Sequence, residues 1–288
     1  MKSAFLLFLT VISLQVIAQK ASSRISFTQG EKIHVNVQMK SSITQQGMGQ
    51  PVDFNANAVG DHDFTVSNAT DYNNTLHHEV KHVSYGYDVM GQKKNFDSKD
   101  EKDINSTAGK PIKEMLDKKY DMIIDSAGTA MMVIPEKLDM TSTDPRMAII
   151  TNMMKDIFDI VQPPKKGGPS FFKVLPDTGI AKGYPWTTSY INEIGKFDAA
   201  YKVSEITDST IIVDLFATST TVTKAEMMGN EMTTTMHNKS TGKITIDRLS
   251  GIIQEKTVST ESSGSTETSF GNLPVTSKTT VTIKVTRE

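Results

Sequence analysis

The chain has 288 residues, 31 Lys and Arg against 33 Asp and Glu for a net charge of −2, and no cysteine. The absent thiols exclude disulfides, thiolate metal sites and a catalytic cysteine, and the balanced, dispersed charge leaves no electrostatic footprint for nucleic acid. A chain of this length buries an ample core without cross-links, as one large domain or two smaller ones.

The first residues, MKSAFLLFLTVISLQVIAQ, carry a Lys, an apolar run from Ala4 to Leu14, and Val16 and Ala18 at cleavage positions. That is the layout of a secretory signal peptide over residues 1–18, cleaved near Ala18. The run is too short to span a bilayer, and no later stretch approaches ~20 uninterrupted apolar residues. The mature protein is expected to be soluble and exported, periplasmic or secreted.

From Ile33 to Asp71 the alternation of IHVNVQMKSS and DFTVSNAT predicts antiparallel strands, with Gly47-Met48-Gly49 as a hairpin turn. The next stretch, NNTLHHEVKH over 73–82, spells H-E-x-x-H through His78, Glu79 and His82, the zinc-peptidase signature. In such enzymes a helix sets both imidazoles on one face a turn apart, with the Glu beside the metal-bound water.

An internal repeat bears on that motif. Val-Ser-x-x-Thr-Asp ends at Asp71 and again at Asp208, and each copy leads to a Met-Gly-amide turn, at 90–92 and 228–230; a third such turn lies at 48–50. Further on, MIIDSAGTAMMVI (122–134) resembles ITIDRLSGIIQEKTV (244–258). These matches predict a duplicated β unit with a helical insertion in the first copy.

Opposite NTLHHEVKH then falls IIVDLFATS (211–219), dense in residues that suit a pleated surface. On a strand, His78 and His82 would share a face but lie ~13 Å apart, too far for one zinc ion with bonds of ~2.0–2.1 Å. Leu76, Val80, Val83 and Tyr87 have helical spacing, but Val and Tyr are weak helix formers and Gly86 interrupts. Tyr85 stands where a metzincin needs Gly, and Glu101 or Glu114 lacks the pattern of a third ligand. The stretch is therefore expected to be a strand.

Residues 95–110 read as a polar loop. In KPIKEMLDKKY, Pro111 opens a short helix with Ile112, Met115 and Leu116 on one face. DPRMAIITNMMKDIFDIVQPP predicts a longer one over 144–162, capped by Asp144, started by Pro145 and stopped by Pro163-Pro164. Its wide stripe of Met147, Ile150, Met154, Ile157 and Val161 predicts burial against the concave face of a curved sheet. Residues 163–185 form a turn-rich linker, and from Trp186 onward the pattern is almost wholly β, closing on Val281, Ile283 and Val285.

Other features reduce to plainer readings. The 16 methionines suit an adaptable apolar pocket or ordinary core filling. Met228, Met232, Met236 and His237 have copper-binding chemistry but are too spread along a strand for one ion. Asp97, Asp100, Glu101 and Asp103 lack calcium-loop spacing, and Trp186 reads as a core anchor. No phosphate loop or nucleophile elbow occurs. No catalytic, metal or cofactor residue is assigned.

The segments YGYDVMGQKKNFDSKD, MIIDSAGTAMMV, Gly183-Tyr184-Pro185-Trp186 and TGKITIDRLSG together resemble a family of exported proteins, common in Bacteroidota, known only as a domain of unknown function. The resemblance implies a secreted β-rich fold and brings no catalytic residues.

The expectation is a mainly β protein of the α+β kind: an antiparallel curved sheet or half-barrel from two related halves, 19–143 and 186–288, holding the 144–162 helix. The expected function is non-enzymatic binding of an apolar ligand such as a lipid between helix and sheet. A zinc metallopeptidase and a structural or adhesive envelope component are the alternatives.

Overall fold

The computed structural model describes residues 22–47, 50–89, 91–107, 109–138, 154–178, 180–192, 194–227, 230–269 and 271–288. The expected signal peptide lies outside the described residues. The chain forms one antiparallel sheet of twelve strands. They are β1 (Lys32–Gly47), β2 (Gln50–Ala69), β3 (Asn73–Val89), β4 (Gln92–Asp97), β5 (Lys119–Asp125) and β6 (Ala130–Ile134). The rest are β7 (Pro185–Asn192), β8 (Gly195–Ile206), β9 (Thr210–Met227), β10 (Asn230–Asp247), β11 (Ile253–Thr268) and β12 (Gly271–Arg287). Among the described residues three short helices accompany them: α1 (Glu101–Ile104), α2 (Gly109–Leu116) and α3 (Lys155–Val161).

The strand order is β6-β5-β3-β2-β1-β12-β11-β10-β9-β8-β7, with β4 beside β3 at its far end. Strands before and after the central helix thus join a single sheet, at the β1–β12 pair. One end, here the base, carries the turns 70–72, 126–129, 207–209 and 248–252. The other end, the tip, carries hairpins closed by Gly47 with Gln50, Val89 with Gln92, Asn192 with Gly195, Met227 with Asn230, and Thr268 with Gly271. Three of these hairpins are the Met-Gly-amide sites of the sequence.

The sheet is curled. Ile25 N donates to Ser126 O at 2.7 Å and Ser26 N to Ser250 O at 2.8 Å. Five strand-to-strand steps separate β5 from β11, about 24 Å in a flat sheet. Consecutive backbone nitrogens touch both turns, so the base must roll nearly closed around the segment at 24–26. Two glycines make room for it. A Cβ on Gly128 (φ 81°) would lie 2.5 Å from Ile25 Cδ1, and one on Gly251 (φ 69°) 2.4 Å from Arg24 O.

The base is solid. Alternation on β2 turns Ala58, Phe64 and Val66 inward and Asn57, Asp61 and Asp63 outward. The inward set meets Ile33, Val35 and Val37 of β1, Ile211 and Val213 of β9, and Ile244 and Ile246 of β10 in one core. Phe172, from the 163–184 connection, fills its centre with edge-on contacts to Phe27 and Phe64. That connection bonds β6 through Gly167 and Gly168 and β8 through Gly183 and Tyr184, spanning the two edges of the sheet.

The repeated sequence elements build matching turns. Thr70 and Thr207 each take two backbone N–H groups on their hydroxyl, from Tyr72 and Asn73 and from Ser209 and Thr210. Register slips follow Val66 and Val203 alike. Asp125 and Asp247 each cap the turn that ends in Gly128 or Gly251.

Two expectations about helices are revised. Residues 95–97 belong to β4, and α1 lies in the expected loop, its first turn capped by the Asp100 carboxylate. The helix expected over 144–162 is described only as α3, with Ile157, Ile160 and Val161 buried and Met154 buried just before it; residues 144–153 lie outside the described residues.

Candidate functional site

HEVKH lies on strand β3, but the two imidazoles do not share a face. Asp61 pairs with His82 and His62 with Val80, leaving Lys81 as an extra residue on β3. A β-bulge of this kind flips the alternation beyond it. His78 therefore points into the core, while His82 emerges on the outer face. The expected same-face arrangement is corrected: opposite faces, not strand length, keep the two rings from one ion.

His78 is fully buried, stacked on Tyr120 of β5 with ring centroids 4.5 Å apart and against Phe64 at 4.8 Å. Its Nε2 lies 3.2 Å from Nδ1 of the equally buried His62. His62 Nε2 and His78 Nδ1 have no hydrogen-bond partner among the described residues. Burial pushes His62 down to about 4, against the pull of Asp61, and burial with the neighbouring His62 and His77 pushes His78 down to about 2. Both rings are neutral core residues. α3 covers them: a Cβ on Gly60 would meet Ile157 Cγ2 at 2.4 Å and His62 Nε2 at 3.2 Å.

His82 joins a polar network on the outer face. Its Nδ1 and Nε2 each lie 2.9 Å from a carboxylate, Asp61 and Asp97 respectively. His34 bonds Asp63 at 2.8 Å, and Asn36 donates to Asp61 at 2.6 Å. Burial raises Asp61, but its bonds to Asn36 and His82 hold it below the usual carboxylate range. Glu79, the would-be base, is occupied by Lys81 at 2.9 Å and Lys119 at 3.1 Å.

The other candidate ligands are also dispersed. Met236 and His237 are adjacent on β10 and face opposite sides, with His237 bonded to Thr220; Met228 lies outside the described residues. Asp100 caps α1, and Asp103 accepts from Asp97 N. Among the described residues no group of three or more His, Asp or Glu side chains could hold a metal.

Beyond the base, the inner face changes character. Val281, Val258, Gly242, Leu215, Tyr201 and Trp186 lie side by side across β12, β11, β10, β9, β8 and β7. Two residues further towards the tip comes Thr279, Thr260, Ser240, Ala217, Ala199 and Thr188, and then Ser277, Ser262, Asn238, Ser219, Phe197 and Tyr190. None of these positions is charged; Lys256, one row nearer the base, and Lys94 of β4 are charged residues that do face inward. Lys278, Glu261, Lys239 and Asp198 fall in the intervening row, on the outer face.

Hydroxyls on the inner face satisfy one another: Ser240 and Thr260 at 2.8 Å, Ser41 and Thr279 at 2.8 Å. Aromatic pairs stand at one edge, Trp186 on Tyr201 (5.1 Å, 6°) and Tyr190 on Phe197 (4.7 Å, 9°). Trp186 is a partner of the core, as expected, but its row borders this trough. Sequence reasoning missed the trough. Its signal was charge kept an even number of residues apart, two in KAEMM and six in SKTTVTIK, which carries meaning only once registers are known.

The model of a family of unknown function, DUF6263, matches residues 71–253. The chain belongs to that family. The matched span of this DUF6263 protein runs from the β2–β3 turn to the start of β11. No curated protein matches the chain.

Among solved structures, a lipovitellin described for its lipid–protein interactions is similar over 90% of this chain and 26% of its own, with 12% identity and a TM-score of 0.47. The chain thus spans about a quarter of that protein. An outer membrane channel from Pseudomonas putida F1 is similar over 91% of this chain and 98% of its own, with 7% identity and a TM-score of 0.26. The translocator domain of the autotransporter NalP from Neisseria meningitidis gives 90% and 89% coverage, 6% identity and 0.20. Among the described residues no helix is long and apolar enough to cross a membrane.

Proposed function

We propose that this DUF6263 protein is an exported, non-catalytic binding protein that holds an uncharged, largely apolar ligand such as a lipid along the inner trough. One observation carries the reading: the three inner rows that run tipward from Val281, Val258 and Trp186 across β7 to β12 carry no charge, while the intervening outer row carries Lys, Asp and Glu, and the inward-facing Lys256 stands one row nearer the base. Burying a charge beside a hydrocarbon is costly, and a surface cleared of charge suits a neutral guest. The space between α3 and the sheet is filled by Ile157 against Gly60, so the guest belongs beyond the helix.

The matching turns support two related halves. Shifting each strand six places along the order carries β1, β2, β3, β5 and β6 onto β7, β8, β9, β10 and β11. The counterpart of β12 would lie between β6 and β7, where the chain has the 163–184 connection instead. That is the natural entrance for a guest.

The single tryptophan tests this directly. Titration of the purified chain with a fluorescence-silent monoacylglycerol is expected to shift Trp186 emission saturably, and native mass spectrometry after gentle purification to show a bound neutral lipid. A flat titration together with a lipid-free mass would sink the proposal.

A further inference from the structure

The outer face carries a second feature, unrelated to the trough. A shallow groove of about 610 Å³ crosses β12, β1, β2, β3 and β4 towards the tip. This is within the ~300–1,000 Å³ of small-ligand sites. Its floor is Gly86, which pairs with Asn57 on one side and Asn95 on the other. A Cβ there would sit 2.6 Å from Asn95 Oδ1 and 2.9 Å from Asn57 Oδ1. Glycine at this position is what allows the two amides to lean in from both neighbouring strands.

Charge converges on the same place. Lys40 lies beside Asn57 and Thr280, and one row tipward Lys278, Ser42, Asn55, Asp88 and Lys93 follow in register. Three ammonium groups from three strands thus line the groove against one carboxylate. Asp88 is partly engaged, accepting from Gly91 N at 2.9 Å, and Lys93 stands 3.9 Å from it. Lys278 leans to Glu261 at 3.4 Å, and Lys40 has no ion-pair partner among the described residues. The groove therefore holds surplus positive charge ringed by amide and hydroxyl groups, in a chain whose net charge is −2.

We infer that this groove is a binding site for a polyhydroxylated anion, a sugar unit bearing a carboxylate or phosphate. Lysine supplies point charges for the anionic group. The amides of Asn57 and Asn95 both donate and accept, which matches sugar hydroxyls that do the same. A purely inorganic anion would leave those amides unused, and a neutral sugar would leave the lysines unused.

The test is calorimetric titration of the full chain with glucuronic acid, glucose 6-phosphate, glucose and inorganic phosphate. One or both acidic sugars should bind at least about tenfold more tightly than either glucose or phosphate, a difference of ~1.4 kcal/mol, and more weakly as salt rises. Lys40→Gln with Lys93→Gln, both exposed and without a role in the core, should lower that affinity by about tenfold or more while leaving the circular dichroism and the Trp186 lipid response unchanged. Silence with both acidic sugars, equal binding of glucose, equal binding of phosphate, or indifference to the double substitution would each overturn the inference, whatever the trough binds.

Discussion

His62 and His78 stack in the floor beneath α3, their Nδ1 and Nε2 atoms 3.2 Å apart and their outer nitrogens without a hydrogen-bond partner among the described residues. Around them stand Phe64, Tyr120 and Ile157, with Asp61, Asp63, His34 and His77 as the nearest charged or titratable groups besides the Tyr120 hydroxyl. A neutral pair is stable there; a protonated one is not. The unfolded chain takes up protons near the ordinary value of about 6.5, whereas His62 folded waits until about 4. Stability is therefore full above pH 6.5, falls as pH drops towards 4, and by His62 alone loses on the order of 3 kcal/mol. Urea midpoints followed by circular dichroism from pH 7.5 to 4 should show this decline, and the double substitution His62→Phe with His78→Phe should flatten it. A wild-type midpoint constant down to pH 4.5 would contradict the neutral pair.

Gly60 is the seat of α3. Gly60→Ala places a methyl 2.4 Å from Ile157 Cγ2, and overpacking of this kind costs about 1–3 kcal/mol. Adding Ile157→Ala removes the opposing methyl, so the double substitution should be less destabilised than the two single losses summed. Additive losses in thermal unfolding would mean that the helix does not bear on this residue.

Ser240 and Thr241 are neighbours on opposite faces of β10. Ser240→Glu puts a carboxylate into the trough and should abolish the Trp186 response to a neutral monoacylglycerol, while Thr241→Glu should leave it intact. Equal effects, or none, would show that the inner face is not where the guest lies.

The purified chain should contain zinc well below one equivalent by elemental analysis, because His78 and His82 face opposite sides of β3. A stoichiometric zinc lost on His78→Ala would require that strand to be rebuilt.

The sequence by itself determined the class of the molecule and many of its joints. Alternation in IHVNVQ and VTIKV, the density of Ile, Val and Thr, and the Thr-Asp and Asp-x-x-Gly repeats are local signals, written by the pleat and by turns that need particular side chains. They were enough to place His78 and His82 on a strand. Only the tertiary structure decided that Lys81 bulges and sends those rings to opposite faces, because a bulge is a relation between two strands and leaves β3 locally extended. It also decided that three successive inner rows of β7 to β12 are free of charge and that three lysines from three strands line one groove with Gly86 in its floor. Each depends on which residues stand opposite across hydrogen-bonded neighbours, and a single chain read end to end carries no record of that register.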